Sequence, residues 1–158
     1  MSVSAQQALD LLDLLAPVPV VVDGGWGVDA LLGERTRQHD DLDLVVDAGD
    51  LTTVRRALVA AGFGVERDLL PTAIALRHPD GRGVDLHVAL DGVQILEDGS
   101  RWSYGEAVSG RIGGRAVRCC SVETQVRAHL GYEPDDDDRA DLRRLAERFG
   151  VALPPPSA

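Results

Sequence analysis

The chain has 158 residues, 44% of them hydrophobic, and a formal net charge of −10 with no lysine at all. That length allows one domain with its own core, and that charge argues against a nucleic-acid binder, because phosphate backbones are held by clustered Lys and Arg. The longest apolar runs, such as 18–22, are far too short to span a bilayer, and no basic region leads into a hydrophobic signal core, so a cytoplasmic protein without membrane contacts is expected.

Taken in order, the chain reads as alternating helix and strand. Ser4 with Gln7 three residues on forms a capping box, and Ala8, Leu11, Leu12 and Leu15 then make the apolar stripe of a helix that ends near Pro17. A β-rich run, 20–23, leads into Gly24 and Gly25, and the apolar spacing from Trp26 to Leu32 suits a second helix. Bare N–H groups at such a helix start carry partial positive charge, and glycine lets a phosphate approach them closely.

The next strand, 41–46, alternates acid and apolar residues, so Asp41 and Asp43 share a face with Cα atoms roughly 6.5–7 Å apart. Two carboxylates at that separation can close on one hard cation; the alternative is a solvated strand edge with Asp40, Asp41 and Asp43 all in water. Asp50 caps a helix over 51–61 that stops at Gly62, and strands follow at 63–66, 72–78 and 83–89, the last two joined by a Pro79-Asp80-Gly81 turn. Within the last, Asp85 is the third carboxylate of interest, and antiparallel pairing with the Asp41 strand would bring it to the same face. His87 shares the face of Asp85, either as a group that positions a ligand or metal, or as a hydrogen-bond partner of the acid.

Beyond Asp91 the signals thin. Trp102 and Tyr104 either stack on a base or sugar or anchor a loop. Residues 111–117 read as a hairpin turning at Gly113-Gly114, the adjacent Cys119 and Cys120 as packed thiols, and Ser121 as the cap of a further helix. The acid run 135–138 opens a helix with an apolar stripe at Leu142, Leu145 and Phe149, serving as a dipole-matched solvated start, as a cation-attracting patch, or as both. A proline-rich tail occupies 153–158.

Gly24-Gly25-Trp26, Val28-Asp29, Gly33, Thr36-Arg37, His39 and Asp41-Leu42-Asp43 stand in the order and spacing of the small antibiotic nucleotidyltransferases. Gly83, Asp85-Leu86-His87, His129-x-Gly131-Tyr132 and Asp138-x-x-Asp141-Leu142 extend the match. The chain most resembles the lincosamide nucleotidyltransferases and next the aminoglycoside 2''-adenylyltransferases, both of the polymerase-β-like superfamily. The resemblance implies an α+β fold, a mixed sheet of about five strands flanked by helices with further helices at the C-terminal end, in a single domain over 1–152. It implies Mg²⁺-dependent transfer of a nucleoside monophosphate, AMP first, from ATP or another nucleoside triphosphate to a hydroxyl of a small antibiotic, and a cationic acceptor suits the acidic composition.

In that picture Asp41, Asp43 and Asp85 hold two Mg²⁺ ions and Asp85 also takes the acceptor proton. Gly24, Gly25, Trp26 and Arg37 meet the nucleotide, with Arg37 otherwise a surface ion-pair partner, while His87 and Tyr104 meet the acceptor. Two other readings stay open. One is a toxin-type nucleotidyltransferase acting on protein or tRNA, against which the absent lysines count; the other is a non-catalytic nucleotide-binding module, which loss of a carboxylate would mark, and all three are present.

Overall fold

The computed structural model describes residues 2–153, so the expected tail lies, apart from Leu153, outside the described residues. Helix α1 (Ala5–Leu15) starts at the expected box, with the Ser4 hydroxyl accepting from Gln7 N and the Gln7 side chain accepting from Ser4 N. Strand β1 (Val20–Asp23) then runs directly into α2 (Gly24–Leu32), and β2 (Asp41–Asp47) leads through one 3₁₀ turn into α3 (Leu51–Ala60). A β3 (Gly64–Leu69), β4 (Ala73–Arg77), β5 (Gly83–Ala89) meander follows. A small ribbon of β6 (Val93–Ile95) and β7 (Arg101–Ser103) precedes the hairpin of β8 (Val108–Ile112) and β9 (Arg115–Cys119). Helices α4 (Val122–Ala128) and α5 (Asp136–Phe149) close the chain.

The main sheet has seven strands in the order β3-β4-β5-β2-β1-β9-β8, two more than the resemblance implies. The additional width comes from the β8–β9 hairpin, whose β9 pairs parallel to β1 at Val22↔Cys119. β1 and β2 are antiparallel, with Asp23 opposite Asp43. β2 and β5 are parallel, not antiparallel as the sequence reading has it. The intervening α3 supplies the crossover that parallel strands require, and β4 occupies the antiparallel place beside β5.

Period-two alternation gives the sheet two unlike faces. Leu42, Leu44, Val46, Ile74, Leu76, Val84 and Leu86 point one way and pack on Ala8, Leu11 and Leu15 of α1 and on Val54 and Leu58 of α3, forming the main core. The opposite face carries Asp41 and Asp43 of β2 and Asp85 and His87 of β5. Helix α2 bridges the layers: Trp26 and Ala30 join the main core, while Val28 and Leu32 pack on Leu145 of α5. No helix among the described residues is long and apolar enough to cross a membrane.

Candidate active site

Parallel register sets Asp43 beside Asp85 and Asp41 beside Gly83. Direct neighbours on one face of a ladder lie within reach of each other, so three acids share one patch although the strand direction differs from expectation. Their charges act on one another. Burial, then Asp43 and Asp41, push the Asp85 carboxyl up to about 6, and burial with Asp43 likewise raises Asp41. Asp41 fits because its partner is glycine: a Cβ at Gly83 would overlap the Asp41 carboxylate.

Two of the three acids have other partners in this conformation. Asp41 Oδ1 faces Arg77 Nη2 at 3.5 Å, and Asp43 Oδ1 meets His87 Nε2 at 3.1 Å. Among the described residues no three carboxylate, imidazole or thiol groups stand together as a ready cation cage. The donor set is nonetheless three carboxylates, the hard oxygen ligands that suit Mg²⁺, and their mutual repulsion is what a cation relieves. His87 is therefore a hydrogen-bond partner, but of Asp43 across the ladder and not of Asp85 two residues along its own strand. Burial disfavours a charged His87, yet the bond to Asp43 and the charges of Asp43, Asp23 and Asp85 outweigh it and raise its pKa.

The other wall is the start of α2. Gly24 has φ of 60° and so holds a left-handed conformation, and a Cβ there would overlap the Asp43 carboxylate. A Cβ at Gly25 would run into the His39 ring and come within 2.8 Å of Arg37 Nη2. Glycine at this position lets the His39 imidazole and the Arg37 guanidinium close onto the start of α2, and helix N–H groups beside a guanidinium suit phosphate. Gln125 Nε2 donates to Asp23 Oδ1 at 3.2 Å, tying α4 to this helix start.

Arg37 is both a cleft residue and an ion-pair partner. Its Nη2 lies 3.0 Å from Asp141 Oδ2 and its Nε donates to Asp141 Oδ1 at 3.4 Å, with Asp137 3.8 Å from Nη1. Burial works against its charge, but Asp141, Asp137 and Asp29 outweigh it and hold the guanidinium protonated. Trp26, expected at the nucleotide, has its side chain in the core, 2% exposed, with Nε1 donating to Val3 O. Tyr104 is buried edge-on to Trp102, ring centroids 6.1 Å apart, and Arg127 lies over Trp102 at 4.7 Å, as loop anchors would. Cys119 and Cys120 are buried free thiols; burial pushes Cys119 up to about 11, and burial with Asp23 raises Cys120 further.

A cleft of about 190 Å³ gathers Gly24, Gly25, Arg37, Asp43 and His87 on one side and Gln125, His129 and Tyr132 on the other. Sequence reasoning assigned no role to Gln125, His129, Tyr132 or His39. His39 is locked from behind: its Nε2 lies 2.6 Å from Asp29 Oδ2, and Asp29 also accepts from Thr36 N and Oγ1. Burial would raise Asp29, but these bonds outweigh it and hold the carboxyl below its usual range. The order Val28-Asp29, Thr36-Arg37, His39 carried that network in the sequence; Gln125 left no signal.

The family model for aminoglycoside-2''-adenylyltransferase matches residues 5–145. A lincosamide resistance protein of Staphylococcus haemolyticus is 29% identical, over 91% of this chain and 95% of its own. The lincosamide antibiotic adenylyltransferase LnuA, in its lincomycin-bound crystal structure, superposes with a TM-score of 0.83 at 28% identity, covering 92% of this chain and 98% of its own. ANT(2'')-Ia in complex with adenylyl-2''-tobramycin shares the fold, with a TM-score of 0.71 at 24% identity over 92% and 90% of the two chains. The chain belongs to the aminoglycoside-2''-adenylyltransferase family of nucleotidyltransferase enzymes.

Proposed function

We propose that the protein transfers a nucleoside monophosphate, AMP from ATP, to a hydroxyl of a small-molecule antibiotic, within one nucleotidyltransferase domain over 1–152. A lincosamide is the first choice of acceptor, because the lincosamide relatives match over almost their whole length. An aminoglycoside is the second, from the family match. The observation that carries the reading is the Asp43–Asp85 rung, with Asp41 beside it on the same face and Asp43 against Gly24 at the start of α2.

Asp41, Asp43 and Asp85 are the residues that would hold Mg²⁺, two ions together with the phosphates, and bound Mg²⁺ supplies charge neutralisation of the triphosphate and activation of the acceptor hydroxyl. The chain's own groups do the rest. Backbone donors at Gly24 and Gly25 cradle phosphate oxygens, and Arg37, held at the cleft by Asp141, meets the charge of the leaving pyrophosphate. Asp85 accepts the hydroxyl proton as the oxygen attacks the α-phosphorus and the bond to the β-phosphate oxygen breaks. His87 holds Asp43 in place. Pyrophosphate release tests this: it should require Mg²⁺, nucleotide and antibiotic together. Release at the same rate without any antibiotic would count against transfer to a drug.

A further inference from the structure

Helix α3 carries an unused flank on the side of the sheet away from the acids. Val54 and Leu58 turn inward and join the main core, with Leu51 and Ala57 packed at its margin. A second stripe, Leu51, Thr52, Arg55, Arg56, Val59 and Ala60, recurs at helical spacing and lines a groove of about 610 Å³. Nine residue steps make that stripe roughly 13–14 Å long. Leu70, at the β3–β4 turn, closes the groove from outside the helix. That turn is held by its own bonds: Asp68 Oδ1 accepts from Leu70 N at 3.0 Å, and Leu69 O accepts from Thr72 N at 3.2 Å and from Thr72 Oγ1 at 3.1 Å. The groove is therefore built without a ligand.

Its lining combines bare apolar surface with unpaired cations. Val59 and Leu70 are 51% and 38% exposed, surface whose removal from water is favourable. Between the apolar positions stand two adjacent guanidinium groups. The arginines in ion pairs among the described residues are Arg37, Arg77, Arg82, Arg115, Arg139 and Arg144, and neither Arg55 nor Arg56 joins them. In a chain with 26 acids and 16 bases, two neighbouring cations left without a counter-charge mark a place for an anion from outside.

We propose that this groove is a second binding site, for a medium-chain carboxylate amphiphile of the fatty-acid class. The carboxylate meets Arg55 and Arg56, whose planar forks match its geometry, and the tail covers Val59 and Leu70. A small ligand fits the groove better than a protein does. Its volume lies within the common range for small-molecule sites, roughly 300–1,000 Å³, whereas a stable protein interface takes about 20–30 residues a side and this groove has seven. An alkylammonium would meet two like charges, and a carboxylate without a tail would leave the apolar positions bare. The main core separates the groove from Asp41, Asp43 and Asp85, so this assignment stands or falls independently of nucleotidyl transfer.

Calorimetry on the full chain, with dodecanoate below its micellar concentration, tests it. One saturable site is expected, with Kd raised about tenfold or more by Arg55→Gln/Arg56→Gln and by Ala60→Trp, which fills the groove. Arg56 and Ala60 are exposed, Arg55 is half-buried, and Gln keeps a high helix propensity, so the double variant carries the test if Ala60→Trp fails to fold. Dodecyltrimethylammonium should show no saturable binding, and a non-hydrolysable ATP analogue with Mg²⁺ should not displace dodecanoate. Absence of a saturable dodecanoate site, unchanged affinity in the double variant, or equally tight binding of the ammonium overturns the proposal. Displacement by the analogue puts the ligand in the nucleotide cleft and overturns it as well. Light scattering on the same samples covers the other occupant: a ligand-free wild-type dimer that the double variant converts to monomer gives the groove to a second copy of the chain and overturns the small-ligand assignment.

Discussion

Asp43 and Asp85 occupy the same rung of the parallel β2–β5 ladder, side by side on the face away from the main core. Neither needs the other for folding. Removing either charge as Asn preserves shape, so both variants should fold while losing transfer by about a thousandfold, near 4 kcal/mol of transition-state stabilisation. Initial rates at saturating nucleotide, with circular dichroism as the folding control, check this; a variant within about tenfold of wild type contradicts it.

The same crowding has a pH signature in metal-free protein. Burial and the charges of Asp43 and Asp41 raise Asp85 from 3.8 to about 6. A carboxyl raised on folding contributes stability that is fully present below its unfolded pKa and lost as pH rises through its folded one. Between pH 4 and pH 7.5 in EDTA, Asp85→Asn should therefore gain on the wild type, by about 1–2 kcal/mol once solvent screening is allowed for. Urea unfolding at both pH values reads the difference. A constant difference would mean that Asp85 is not crowded.

Gly25 tests the phosphate seat. Ala there places a methyl against His39 and Arg37, so the KM for nucleotide should rise about tenfold or more with little change in the KM for the antibiotic. Equal rises in both would place the damage elsewhere.

Asp141 tests the anchoring of Arg37. It is 1% exposed and bonds Arg37 and Arg144. Asp141→Asn leaves two half-buried guanidinium groups short of a counter-charge and should cost about 1–2 kcal/mol of stability, less than a fully buried pair because both are partly solvated. Nucleotide affinity should fall as Arg37 leaves the cleft. A loss of stability with unchanged nucleotide affinity would make Arg37 a structural residue only.

Much of this site is legible in the sequence because its signals are local. Alternation in 41–46 and 83–89 places Asp41, Asp43 and Asp85 on the strand faces opposite the main core, and the glycine pair marks the start of α2. What needs long-range pairing is not local. The parallel direction of β2 and β5 depends on where β4 inserts, and the two further strands depend on β9 docking beside β1. Trp26 reads as a site residue because it follows the glycines; one helical step turns it into the core. Gln125 and His129 reach the cleft only because α4 folds back over the start of α2.

The most direct measurement is mass spectrometry of lincosamides and aminoglycosides incubated with the purified protein, Mg²⁺ and each of the four nucleoside triphosphates. A nucleoside-monophosphate adduct on a lincosamide, formed with ATP and absent with Asp85→Asn, is the expected result. No adduct on any drug while nucleotide and Mg²⁺ still bind, or an adduct that persists in Asp85→Asn, would contradict it.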